Sequence, residues 1–493
     1  MSEKKPVAPL EEVAQRLKAS KQPVFYVSRT ATHLVGVEAF VPGLSFITLV
    51  DSWNATHPAV FVPSNIPNPA PRGNISVVNW LLKNPEVISH MRARTPEGLK
   101  PQVLLAFFDE TSEALCREMG LELIMPSNAL RHRLDSKMVT TQLGESVGVM
   151  SVPNVITRVA SWAELTRAAT ENGLGDDLVV QTAYGNSGET TYFIDDQERY
   201  EAVAAKLRDV DVKIMKRINH LPLAVDAIVT GNGTVVGPIL SEVTGHRELT
   251  QHAGGWSGNE MSPNVMSAEA RAKGVEMVRR FGDGLAQEGY RGTFGIDLLI
   301  DTDTDEVYLG ELNPRLTGTM SITNIPTGAF AALPLIALHI AEYAGLDVGV
   351  DAAELCEASA AAGASSEEWS HMIIRATGPR PHRILQAPLT GVYRPVSGAP
   401  RLEFVREARD WHSLQPGEVF YLNTVADGGF STRGTDLGIV YARTRVQDNE
   451  RNLTPEAREL IASAHALYRM SALSGVQNFV RKARLAIAIA TRR

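Results

Sequence analysis

Cysteine is nearly absent from this chain: Cys116 and Cys356 are the two among 493 residues. Two thiols cannot build a disulfide framework, so a reducing compartment, the cytoplasm, is the expected setting. A basic excess is missing as well. Lys and Arg number 48 against 56 Asp and Glu, a net charge of −8. That balance argues against nucleic acid as the main ligand, yet a few placed cations can still hold small anions. Long apolar runs are lacking too. The most apolar stretch, residues 328–346, contains Pro334, His339 and Glu342, so it reads as a core helix and argues against a membrane span. The charged opening Met1-Ser2-Glu3-Lys4-Lys5 predicts no secretory leader. No Gly-x-Gly-x-x-Gly loop follows the first strands, which excludes a Rossmann dinucleotide site.

What is present is an ordinary globular composition, 44% hydrophobic and 21% charged, on a chain long enough for about three domains. Residues 20–130 alternate short apolar strands, such as Val24-Phe25-Tyr26-Val27, with helical patterns, which predicts a small parallel α/β domain over 1–130. A helix is expected over 134–147. A hairpin then joins strands over 178–181 and 191–194 through Gly185-Asn186-Ser187-Gly188. The Gly231-Asn232-Gly233 turn predicts a second hairpin, and a long helix is expected over 267–288. An Ala- and Ser-rich stretch near 353–366 marks a boundary close to residue 350. Beyond it, short strands and a helix opened by Thr454-Pro455 predict a small α+β domain over 351–493. Residues 476–493 read as a basic terminal helix.

The chemistry concentrates in one segment. Gly292-Thr293-Phe294-Gly295-Ile296-Asp297 runs through a polar turn into Gly310-Glu311-Leu312-Asn313-Pro314-Arg315. Two strands joined by a short turn bring Asp297 opposite Glu311 and Asn313, and the period-two alternation of a strand puts 311 and 313 on one face. Three oxygen ligands then converge beside a guanidinium. Such a set suits Mg²⁺, which takes carboxylate and amide oxygens and keeps places for water and phosphate; Mn²⁺ fits the same donors. Arg315 is positioned to steady a transferring phosphoryl group.

Together these residues resemble the metal-binding hairpin of the ATP-grasp superfamily. The resemblance covers about residues 20–345 and implies an ATP-grasp region over 131–350, preceded by the parallel α/β domain and followed by a β-rich one. It implies that Lys137 contacts the nucleotide phosphates and that Asn186, Ser187 and Gly188 cradle them. Lys216, Arg217 and Ile218 would form the adenine hinge. Gln181 departs from the family pattern, where a lysine stands; either Lys216, Lys213 or an arginine supplies that charge, or ATP binds more weakly than is usual in the family. Glu248, Gly255 and Trp256 lie in a polar glycine-bearing loop where such ligases meet the activated acid. Within the superfamily, that loop, the Gly310–Gly318 stretch and the C-terminal extension look most like amino acid–peptide ligases of the pheganomycin-biosynthesis type.

The function so implied is ADP-forming ligation of a small acid to an amine or peptide through an acyl phosphate, in a soluble enzyme that can pair as a homodimer. Two rivals stand beside it: a carboxylase using bicarbonate, and an ATP-binding sensor or scaffold without ligase activity.

Overall fold

A computed structural model describes residues 9–67, 70–185, 190–252, 254–346, 348–361, 367–396 and 398–475. The first body is a five-stranded parallel sheet whose central strand is Val24–Ser28. Leu44–Thr48 and then Val60–Phe61 lie on one side of it; Gln102–Leu104 and then Glu122–Leu123 lie on the other. The central strand is buried throughout, as an apolar run covered on both faces must be. The apolar run 103–108 was expected to stay extended to its end. Pairing stops at Leu104, and Phe107 and Phe108 instead turn onto the wall of a cavity.

A four-stranded antiparallel sheet follows, in the order Asn154–Thr157, Val212–Lys216, Leu178–Thr182, Thr191–Ile194. One face packs on helices Trp162–Glu171 and Gln197–Leu207 through Val180, Val212 and Ile214. Alternation therefore sends Gln181 and Lys213, which are register partners, to the opposite face.

The largest element is a ten-stranded antiparallel sheet. It begins with Val307–Asn313, Gly292–Asp301, His220–Thr230, Gly233–Thr244 and Trp256–Met261. Trp369–Arg375 pairs with the last of these, and Asp436–Ala442, Val419–Asn423, Gly391–Pro395 and Leu402–Glu407 continue the order. Strands on either side of residue 350 thus share one hydrogen-bonded sheet. The seam between Trp256–Met261 and Trp369–Arg375 is tight at Gly258. Its φ is +151°, and a Cβ there would sit 2.0 Å from the His371 carbonyl oxygen.

Helix Leu335–Tyr343 is the apolar stretch noted in the sequence, and residues 335 to 341 are all buried. It ties the parallel body to the large sheet through one neutral imidazole. His339 Nδ1 accepts from the Thr293 N–H at 3.0 Å, and Nε2 donates to Ile124 O at 2.8 Å. Burial lowers the His339 pKa to about 4, which keeps the ring in this donor–acceptor form. Among the described residues no helix is long and apolar enough to cross a membrane, and Cys116 and Cys356 are both buried free thiols.

The seam makes the first prediction. Gly258→Ala forces the neighbouring backbone apart, so the variant should lose about 2 kcal/mol or more of stability, read as a lowered urea midpoint. An unchanged midpoint would show that the seam yields without cost.

Candidate active site

Strands Gly292–Asp301 and Val307–Asn313 form the expected hairpin, with Asp297 opposite Glu311 and Gly295 opposite Asn313. A bulge at Gly310 shifts the register between Asp297 and Leu298. A Cβ at 310 would lie 2.9 Å from Asp297 O, so glycine is what lets the strands close here. Asn313 Nδ2 donates to Asp297 Oδ1 at 3.3 Å, and Arg315 Nη2 donates to Asn313 Oδ1 at 2.9 Å. All four side chains of the expected set face one cavity of about 930 Å³.

Lys137 reaches the same group from behind. The helix expected over 134–147 is broken: Asn128–Leu134 ends, Ser136 is extended (φ −72°, ψ 123°), and Lys137–Ser146 begins anew. The break makes Lys137 the first residue of its helix, with its N–H on Ala183 O at 2.9 Å. Its buried ammonium meets Glu311 Oε1 at 2.8 Å and Gly185 O at 3.3 Å.

Of the further carboxylates that line the cavity, Glu242 and Asp226 have raised pKa values and were not among the expected site residues. Glu242 is driven up to about pH 7 by burial and by the charge of Glu311. Asp297 is raised well above the carboxylate range by burial, then by Glu242 and Glu311; Arg315 and Lys137 oppose the shift. Asp226 accepts from Thr317 Oγ1 at 2.7 Å and Thr323 Oγ1 at 2.8 Å, and burial raises its pKa to about 6. The only hint in the sequence was polarity inside otherwise apolar strands.

Among the described residues no three His, Cys, Asp or Glu side chains are grouped to hold a metal by themselves. The hairpin set differs in kind, being two carboxylates and an amide oxygen. Those hard donors, under mutual repulsion and open to the cavity, fit Mg²⁺ or Mn²⁺.

The remaining expected residues divide. Trp256 lines the cavity; its indole N–H donates to Asn259 Oδ1 at 3.1 Å, and its ring lies over Gly318. Glu248 does not join it, because its carboxylate is bonded to Arg458 at 3.2 Å on the outer surface. Gly255 is also off the cavity wall, facing Thr250, while Gly254 lines it. Gln181 and Lys213 share the inner face of the small sheet, and Gln181 Nε2 donates to Thr191 Oγ1 at 3.0 Å. The Lys216 N–H is taken by Pro153 O, which leaves its carbonyl as the edge it can offer a ligand. Arg217 turns outward to Asp177 and over the Phe193 ring, and Ile218 O faces His220 Nδ1. Asn186, Ser187 and Gly188 lie outside the described residues, as does the basic segment 476–493.

Comparison with known proteins bears on the fold. A family model described as an ATP-grasp domain matches residues 136–319. The large chain of carbamoyl phosphate synthase from Xanthomonas campestris pv. campestris is 30% identical over 252 residues, 49% of this chain and 22% of that protein. The butirosin acyl-carrier protein–L-glutamate ligase of Niallia circulans is 26% identical over 247 residues, 48% of this chain and 56% of its own length. The chain thus spans about a fifth of the first relative and about half of the second. Among solved structures, biotin carboxylase from Campylobacter jejuni aligns with a TM-score of 0.60 at 13% identity, over 92% of this chain and 93% of that one. Phosphoribosylamine–glycine ligase from Thermotoga maritima gives 0.55 at 13% identity, over 91% and 97%. The chain has an ATP-grasp fold.

Asp226 yields a pH test. Its pKa rises from 3.8 to about 6 on folding, so the folded state binds the proton more tightly than the unfolded chain. Stability is therefore highest below the unfolded value and falls as pH rises through about 6, by up to about 3 kcal/mol. Asp226→Asn removes the ionisation, and Thr323 can turn its hydroxyl to Thr319 O while accepting from the new amide. The variant should gain on wild type between pH 4 and pH 6.5 in urea unfolding. Parallel stability curves would refute the assignment.

Proposed function

We propose that this protein is an ADP-forming ATP-grasp ligase that joins a carboxylic acid to an amine through an acyl phosphate. The observation that carries the reading is the convergence of Asp297, Glu311, Asn313 and Arg315 on one cavity, with Lys137 paired to Glu311 behind them. In the first step an oxygen of the donor carboxylate attacks the γ-phosphorus of ATP, the bond to the β–γ bridging oxygen breaks, and ADP leaves. In the second the amine nitrogen attacks the acyl carbon, gives up a proton, and inorganic phosphate departs. Asp297, Glu311 and Asn313 would hold Mg²⁺ (or Mn²⁺), which neutralises charge on the nucleotide phosphates. Arg315 stabilises charge on the transferring phosphoryl group and the acyl phosphate, and Lys137 steadies the phosphates from the small-sheet side. No protein nucleophile is required; positioning and charge do the chemistry.

Gln181 cannot supply the cation expected at its position, and Lys213 takes that role. The two are direct cross-strand partners on the face turned toward Lys137 and Glu311. The Lys213 side chain is buried, and its ammonium has no hydrogen bond or ion pair among the described residues. Burial lowers its pKa to about 8, and neighbouring Lys137 adds to the shift against Glu145 and Glu311. A buried cation without a direct ion pair is costly unless a ligand completes it, and nucleotide phosphate is the ligand at hand.

The finer reading is peptide-bond formation between amino acids or short peptides, as in ligases of the pheganomycin-biosynthesis type. A cavity of about 930 Å³ supports it, since one amino acid would fill a small part of such a space.

Three measurements test these claims. Amino acids and dipeptides screened for stimulated ADP release, with products read by mass spectrometry, should yield an amide. If ATP binds but no acid–amine combination stimulates release, the chain is a nucleotide-binding module and the ligase reading fails. Asp297→Asn and Glu311→Gln should each lower kcat by about 10²-fold or more. Lys213→Met should raise the KM for ATP about tenfold, roughly 1.4 kcal/mol, and Gln181→Lys added to it should recover part of that loss.

A further inference from the structure

The cavity has a second polar region that the phosphoryl chemistry does not use. In the parallel sheet the chain moves from the central strand Val24–Ser28 out to one edge, then returns to place Gln102–Leu104 on the other side. Order reverses between these two strands, and the crevice beyond their carboxyl ends is where open parallel sheets receive ligands. Here that crevice opens into the cavity: Ser28, Arg29 and Thr30 follow the first strand and Phe107 and Phe108 the second, and all five line it.

Four arginines line the cavity, and three are committed. Arg131 is bonded to Phe108 O and Asn128, Arg315 to Asn313, and Arg375 to Asp436 at 2.8 Å and to the Trp256 carbonyl at 2.7 Å. The Arg29 guanidinium makes no hydrogen bond or salt bridge among the described residues. Its charged neighbours are Asp436 and Arg72, and none of the hairpin residues is among them. Asp436 is shared with Arg375, so two guanidinium groups face one carboxylate while the Arg72 charge also bears on Arg29. The region carries surplus positive charge and a planar donor fork without a partner among the described side chains, and Thr30 lines the same wall.

We infer that Arg29 marks a second subsite, which binds the carboxylate end of an amino-acid or short-peptide acceptor while its amine faces the hairpin. The inference rests on the ligase reading and adds to it the class of the acceptor and its direction in the cavity. A guanidinium takes a carboxylate through two parallel hydrogen bonds, which fixes orientation as well as affinity. An acceptor held by its far end presents its amine without spending contacts at the reacting centre. Lysine in place of Arg29 would keep the charge and lose the fork.

The test uses the full chain with Mg·ATP, a fixed saturating concentration of the donor acid that stimulates release in the screen above, and a panel of acceptor dipeptides supplied as free acids and as C-terminal amides, each assayed by ADP release and by the mass of the donor–acceptor amide. Free acids should show KM values at least tenfold below those of their amides. Arg29→Met should abolish that difference by raising the KM of the acids alone, with kcat and the KM for ATP within about twofold of wild type; Arg29→Lys should fall between. Equal KM values for acids and amides in the wild type would overturn the subsite and leave the ligase reading standing. So would a Met variant that weakens both alike or moves the KM for ATP. Absence of stimulated release with every acid and amide would instead sink the ligase reading, and this inference with it. Phosphoethanolamine preferred over the free-acid dipeptides, with that preference lost in Arg29→Met, would replace carboxylate by phosphate and refute the assignment.

Discussion

The site depends on mutual repulsion among acids that the backbone will not let separate. Glu242, Asp297 and Glu311 lie on three strands of one sheet, and burial together with the neighbouring carboxylate charge raises the pKa values of Glu242 and Asp297. Lys137 and Arg315 offset part of that repulsion from opposite directions, one from a helix start and one from the loop after the hairpin. The arrangement is stable only as a balance. Removing one acid would leave two carboxylates against two cations, whereas adding a divalent ion would favour the ionised forms of Glu242 and Asp297. The electrostatics therefore favour a cationic ligand for reasons independent of any likeness to other proteins.

That balance requires a rigid frame, and the ten-stranded sheet provides it. The hairpin lies at one end of the strand order, while the strands bearing Arg375 and Asp436 lie past the middle. His339 and the tight approach at Gly258 set how the parallel body and the C-terminal strands meet this sheet. Chemistry at the hairpin and the charge surplus near Arg29 are thus held in one cavity by backbone pairing, and no long side chain has to span the distance.

Sequence legibility followed locality. The hairpin could be read because its four residues lie within one turn of chain, where strand alternation alone sets which side chains share a face. Lys137 meets Glu311 for a reason the sequence does not show, since the extended Ser136 that puts it at a helix start is invisible in an apolar periodicity. Glu242 and Asp226 were missed because a single polar residue in a strand does not say which neighbour it will face. Glu248 and Gly255 were misread in the opposite sense: a polar loop announces exposure, but Glu248 faces Arg458 on a distant helix and Gly255 faces Thr250. Which edge the expected hinge could offer a ligand was not legible, because the Lys216 N–H is consumed by Pro153, sixty-odd residues earlier in the chain.

Lys213 shows why such a departure in one strand need not mean a lost site. In an antiparallel pair, directly opposed residues point to the same side at nearly the same height, so a charge can move between partner strands without moving far in space. Gln181 and Lys213 are such a pair. A motif read along one strand registers the exchange as a missing cation, whereas the sheet registers it as the same cation carried by the neighbour. On the reading proposed above, the constraint on the nucleotide end would be one positive charge on the inner face of the small sheet, and not a lysine at any one position of the chain.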